Sequence, residues 1–177
     1  MKTRLLVTLV GLAISFALPT FAQQKEPTLS EQEQGEKTAV DHALRHYNDA
    51  FGRGDLSAIG QHCNVPFVVI SSPTRSVAGA TTTGVKVLPT IAEIEAFYGG
   101  IQRDLRARGY SHSTISELHV KLLDQTTALA SGVFVRHKTD GSELETIGAT
   151  YLLLKTEGEW KIAVVTRNPP ANVIRAD

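Results

Sequence analysis

The chain has 177 residues, with 18 lysines and arginines against 18 aspartates and glutamates, and a single cysteine, Cys63. That length suits one domain able to bury a real core, and the even charge supplies no basic field to draw nucleic acid or anionic lipid. One cysteine excludes an intramolecular disulfide, and its thiol is expected to be buried and inert rather than shared between subunits.

The first element is an export signal. Lys2 and Arg4 precede the apolar run Leu5 to Leu18, and Pro19-Thr20-Phe21-Ala22 supplies a small-x-small cleavage site before the polar Gln23-Gln24-Lys25-Glu26. A spanning helix needs roughly 20 apolar residues, and this run is shorter, so removal after Ala22 is expected, with no membrane span left afterwards. Cleavage takes Lys2 and Arg4 from the 18 basic residues, leaving 16 against 18 and a charge of −2 on a mature protein that is periplasmic or secreted. Residues 1–22 are thus read as signal, 23–29 as linker, 30–170 as the domain and 171–177 as a loose tail.

Ser30 and Glu33 have capping-box spacing, and Val40, Leu44, Tyr47 and Phe51 then recur as one apolar helical stripe until Gly52 and Gly54 end it. Asp55 caps a short helix from Leu56 to about His62 that buries Leu56 and Ile59. Val65 to Ile70 is a β-branched run and reads as a strand. Ser71 to Gly84 is a loop or irregular hairpin, with a short strand at Val85 to Leu88. Thr90 and Glu93 repeat the capping pattern, and Ile94, Phe97, Ile101 and Leu105 form the stripe of a third helix ending at Gly109. The period then changes to alternation through four strands, Tyr110 to Leu123, Thr127 to His137, Leu144 to Lys155 and Trp160 to Arg167, with turns too short for anything but antiparallel neighbours. The fold class is α+β: three helices from the N-terminal half packed on an antiparallel sheet. No phosphate-binding glycine pattern is present, and no cofactor is expected.

Two stretches carry a family resemblance. One is Tyr47-Asn48-Asp49-Ala50-Phe51-Gly52-Arg53-Gly54-Asp55; the other runs from Asp140-Gly141 through Thr150-Tyr151-Leu152-Leu153-Leu154-Lys155 to Gly158-Glu159-Trp160-Lys161-Ile162. On these the chain resembles the NTF2-like superfamily, in its SnoaL-like and DUF4440-like groups, over roughly Glu31 to Pro169. The resemblance implies a cone: a strongly curved sheet wrapped around the helices with a pocket at its open end. It also implies homodimers paired through the outer sheet, and members that are isomerases, dehydratases, cyclases or noncatalytic binding domains.

Candidate site residues follow from which side chains face inward. Steroid-isomerase-like members use a tyrosine of the first helix with a pocket acid as an oxyanion hole, plus a carboxylate base. Tyr47 could match that tyrosine or be a core aromatic with its hydroxyl at the rim, whereas the strands Phe67 to Ser71 and Ala128 to Arg136 offer no inward acid. Unbroken alternation from Leu122, Val120 and Leu118 through Ser116 and Thr114 would put His112 and Tyr110 on the cavity side, where an imidazole could act as acid or base; one bulge would turn them outward. Arg136 shares a face with Ala128, Ala130, Gly132 and Phe134, and could bind a carboxylate bidentately or pair with Glu143, Glu145 or Asp140 at the rim. Trp160, Ile162, Val164 and Thr166 are read as one face of the last strand. His42 and His46 have metal-ligand spacing but lie away from the apolar stripe, so no metal site is expected.

The catalytic candidates are therefore Tyr47, His112 and Arg136, and the ligand-binding candidates Tyr47, Phe51, Phe67, Phe97, Phe134 and Trp160. The expected function is an exported, homodimeric domain holding a small apolar or amphipathic molecule. The alternatives are an isomerase, dehydratase or cyclase for a small hydrophobic substrate, and an envelope protein-interaction module.

Overall fold

The computed structural model describes residues 30–75 and 81–175, so the signal and linker fall outside the described residues. Helix α1 (Glu31–Arg53) begins where Ser30 Oγ accepts the Glu33 N–H at 3.1 Å, and it ends at Gly54, whose φ of 72° is left-handed. Its buried stripe contains Val40, Leu44, Tyr47 and Phe51, as the spacing requires. Helix α2 (Leu56–Gln61) is capped by Asp55, which accepts the Ala58 N–H at 3.0 Å, and Ile59 is fully buried.

Strand β1 (Cys63–Arg75) forms an antiparallel hairpin with β2 (Thr81–Leu88), in register from Phe67↔Leu88 to Arg75↔Thr81. Both strands extend into the stretch read from sequence as a loop or irregular hairpin, and the hairpin, with an irregularity between Ser71 and Thr74, is what forms. β2 is an edge strand with Val85 and Val87 exposed, and it contains the short strand read at Val85 to Leu88. Helix α3 (Ile91–Ala107) starts with the Thr90–Glu93 capping box, in which Thr90 Oγ1 accepts the Glu93 N–H and donates to its carboxylate. It buries Ile94, Tyr98, Gln102 and Leu105, a stripe one residue round from the predicted one.

Strands β3 (Tyr110–Leu122), β4 (Thr127–Lys138), β5 (Glu143–Thr156) and β6 (Glu159–Asn168) make the expected meander, and the sheet order is β2-β1-β6-β5-β4-β3. One pair departs from the antiparallel expectation: β1 lies parallel to β6, with Val68 opposite Val164. α3 carries the chain from the hairpin to the far edge, where β3 begins, and the meander returns until β6 meets β1.

Bulges decide which side chains face the helices. In β3 the register slips at Ser116 and again at Ser111, so Ile115 pairs with Phe134, His112 with His137, and Tyr110 with Lys138. In β6 it slips at Ala163, which turns Val164 and Thr166 outward and Val165 and Arg167 inward, correcting the single face read through Trp160, Ile162, Val164 and Thr166. The Ser116 bulge depends on Gly132: a Cβ there would stand 2.5 Å from the Glu117 carbonyl oxygen.

The tail is held as far as the described residues go. After a 3-10 turn at Pro170–Asn172, Val173 is buried, the Ile174 N–H donates to Ser131 Oγ at 3.0 Å, and Arg175 grips Glu117 at 2.7 and 3.0 Å. Only residues 176–177 lie beyond that, so the expected loose segment is instead a strap over the outer sheet face. No helix among the described residues is long and apolar enough to cross a membrane.

Candidate functional site

A cavity of about 640 Å³ opens between α1, α3 and the concave faces of β1, β5 and β6. Its floor is three buried tyrosines. Tyr47 projects from the buried stripe of α1, Tyr98 from that of α3 and Tyr151 from the inward row Ile147, Ala149, Tyr151 of β5. The Tyr47 hydroxyl donates to the Tyr98 hydroxyl at 2.7 Å, and the rings of Tyr98 and Tyr151 meet Tyr47 edge to face at 6.0 and 6.1 Å. Burial pushes all three phenols above their ordinary range, Tyr47 and Tyr98 well above it, so they are neutral hydrogen-bonding groups. Val69, Phe97, Ile101, Ile147 and Val165 form the walls.

The mouth is polar. Glu145 faces inward opposite Arg136; it accepts from Arg136 Nη1 at 2.5 Å and Arg108 Nη2 at 3.3 Å and forms an ion pair with Arg167 Nη2 at 3.2 Å. Burial alone would raise the Glu145 carboxyl, but the Arg136 hydrogen bond and the charges of Arg167 and Arg136 outweigh it and hold the group below its ordinary value. Arg136 also lies over the Phe51 ring, 5.5 Å from its centroid. Asn168, Pro169 and Pro170 complete the rim.

Of the candidates named from sequence, Tyr47, Phe51, Phe97 and Arg136 line this cavity. His112 does not. The Ser116 bulge turns it to the outer face, where it is exposed and stacks on His137 at 4.8 Å, while the second bulge returns Tyr110 to the interior. Tyr47, His112 and Arg136 therefore never meet, and the arrangement an isomerase-type reading required is absent. Phe67 and Phe134 are corrected to core: Phe67 is fully buried against Tyr98, and Phe134 packs beneath Tyr151. Trp160 lies outside the cavity as well; its indole N–H donates to Glu36 at 2.9 Å, near the start of α1. His46 has His42 and His62 about it at ring separations of 6.5 and 6.3 Å, but no group of metal-ligating side chains forms among the described residues.

Glu145 was named from sequence as one possible rim partner of Arg136, and that pair forms; three other site residues escaped the sequence reading. Tyr98 was legible, since 94, 98, 102 and 105 fit a helical stripe as well as 94, 97, 101 and 105 do. Tyr151 was legible from the alternation Glu145, Ile147, Ala149, Tyr151, Leu153 on β5. Arg167 was hidden by the bulge at Ala163.

Helices on the concave side of a six-stranded sheet, with a cavity at the open end, define the NTF2-like class of α+β domain. Residues 33–170 match the NTF2-like protein family DUF6841, and the chain belongs to that family. No curated protein matches the sequence. Among solved structures, an NTF2-like protein of unknown function from Shewanella oneidensis is 21% identical with a TM-score of 0.54, covering 75% of this chain and 98% of its own. A candidate dehydratase of the NTF2-like family from Streptomyces avermitilis is 16% identical with a TM-score of 0.56, covering 77% and 96%. A candidate aromatic ring hydroxylase from Novosphingobium aromaticivorans is 17% identical with a TM-score of 0.56, covering 81% and 94%. At these identities the likeness is one of fold.

Proposed function

We propose that the protein is an exported binding domain that holds a small apolar or amphipathic molecule in the cavity at the open end of its cone. The observation that carries this reading is the cavity itself: its volume of about 640 Å³ is that of a small-molecule site, its walls are aliphatic and aromatic, and its few polar groups sit at the mouth and floor. Two structural neighbours carry enzyme names, a dehydratase and a ring hydroxylase. The chemistry at this mouth favours binding over proton abstraction. A general base works best with a pKa near the operating pH, whereas Glu145 is held ionised and shared among three arginines.

Calorimetric and thermal-shift screening of the protein from Gln23 onward against steroids, aromatic acids and lipids tests the reading, with Ala149→Trp as the control. Ala149 lines the cavity, so the larger side chain fills it. Ligands that bind the parent and not a folded Ala149→Trp support the proposal; ligands that bind both equally contradict it.

Export is proposed on the sequence of residues 1–22. Recovery outside the cytoplasm of a chain beginning at Gln23 supports it, and a full-length cytosolic chain contradicts it. Pairing through the outer sheet is proposed on the half-buried row Val133, Val135, Leu152 and Val164. Sedimentation equilibrium decides between a dimer and a contradicting monomer.

A further inference from the structure

The cavity lining contains two charged side chains among the described residues, Arg136 and Arg167, and both are cationic. Arg136 is the more telling, since its side chain is only 11% exposed. A guanidinium carries five N–H donors and accepts nothing. Among the described residues Arg136 makes one hydrogen bond, from Nη1 to Glu145. Its plane is steadied over Phe51, so the remaining donors are held in a fixed direction beside the cavity. Burying such a group with donors unspent is costly unless an acceptor meets them.

Glu145 does not belong to Arg136 alone. Among the described residues it is the carboxylate with which Arg108, Arg136 and Arg167 each form an ion pair, so Arg136 shares it with two other guanidinium groups. At the floor, none of the described residues hydrogen-bonds the Tyr151 hydroxyl, which burial keeps protonated and therefore able to donate. Asn168 is already committed, with Oδ1 accepting from Thr150 and Nδ2 donating to the Pro169 carbonyl. The charged groups offered to a ligand are cationic, and the Tyr151 hydroxyl can donate to it, around an apolar chamber.

We propose that the ligand is a hydrophobic carboxylic acid, bound as its anion with the carboxylate on Arg136 at the mouth and the apolar body against Phe97, Ile147 and the tyrosine floor. The inference rests on the cavity reading above and narrows it to one substrate class. A planar carboxylate matches the guanidinium fork and accepts without donating.

Calorimetry with two probes of the same ring and shape, naphthalene-2-carboxylate and naphthalene-2-carboxamide, tests it. The acid is expected to bind the parent protein on the order of ten- to a hundredfold tighter than the amide, the range of charge-assisted hydrogen bonds. Arg136→Gln is expected to abolish that preference. Because Arg136 also holds Glu145, Arg167→Gln is the second variant; Arg167 is half exposed, and its loss is expected to reduce the preference without unfolding the protein. Equal binding of acid and amide by the parent, or a preference that survives both substitutions, overturns the carboxylate assignment and leaves the cavity reading standing. If neither probe binds, the cavity reading falls and this proposal with it.

Discussion

The four tyrosines, Tyr47, Tyr98, Tyr110 and Tyr151, are all buried, and burial raises each phenol above its ordinary value of 10.0. On unfolding they return to that value. Above it the unfolded chain therefore binds fewer protons than the folded one, and stability falls as pH rises. Urea titrations across this range are expected to show a falling midpoint, with tyrosinate absorbance growing in step with unfolding; tyrosinate in a chain still folded by circular dichroism would contradict the floor described here. Cys63 belongs to the same buried layer. Burial pushes its thiol up to about 12, so a disulfide-exchange reagent at mildly alkaline pH is expected to label it only after unfolding. The mouth titrates in the opposite sense. Glu145 lies below its ordinary 4.5, so its contribution is present above that value and is lost as pH falls through the lowered one.

Helices and turns were legible because their signals are local. Ser30 with Glu33 and Thr90 with Glu93 marked two helix starts, and Glu157-Gly158, with φ of 55° and 84°, forms the tight β5–β6 turn expected of it. Strand faces were legible only as far as the first bulge. A period of two carries no memory of an inserted residue, so Ser116, Ser111 and Ala163 each reverse every side chain beyond them, and His112 and Arg167 exchange the roles that unbroken alternation gives them. Gly132 shows what the Ser116 bulge demands. Gly132→Ala is expected to destabilise the domain by about 1–3 kcal/mol, since its Cβ meets backbone that can give way only by moving β3. Urea midpoints read the effect, and an unchanged midpoint would show that the bulge does not press on this site.

At the scale of the molecule, the superfamily was legible from the order of elements and the two quoted stretches, while the parallel β1–β6 pair and the C-terminal strap were not. Each of those arises from long-range packing that no local pattern encodes: β1 is set beside β6 by the whole course of the meander, and the strap by Ser131 and Glu117 far back in the chain. The same distance separates the parts of the site. Tyr47 and Tyr98 are joined across 51 positions, and Arg136 meets Glu145 only because the β4–β5 hairpin is in register there. The central claim is that this convergence makes a cavity that a ligand enters. Amide spectra of the labelled protein titrated with naphthalene-2-carboxylate test it most directly. The account predicts shifts confined to the lining, at Val69, Tyr98, Ile147, Tyr151 and Val165. Shifts centred on Ser131 and Thr150 of the outer face, or none at the probe's solubility limit, would contradict it.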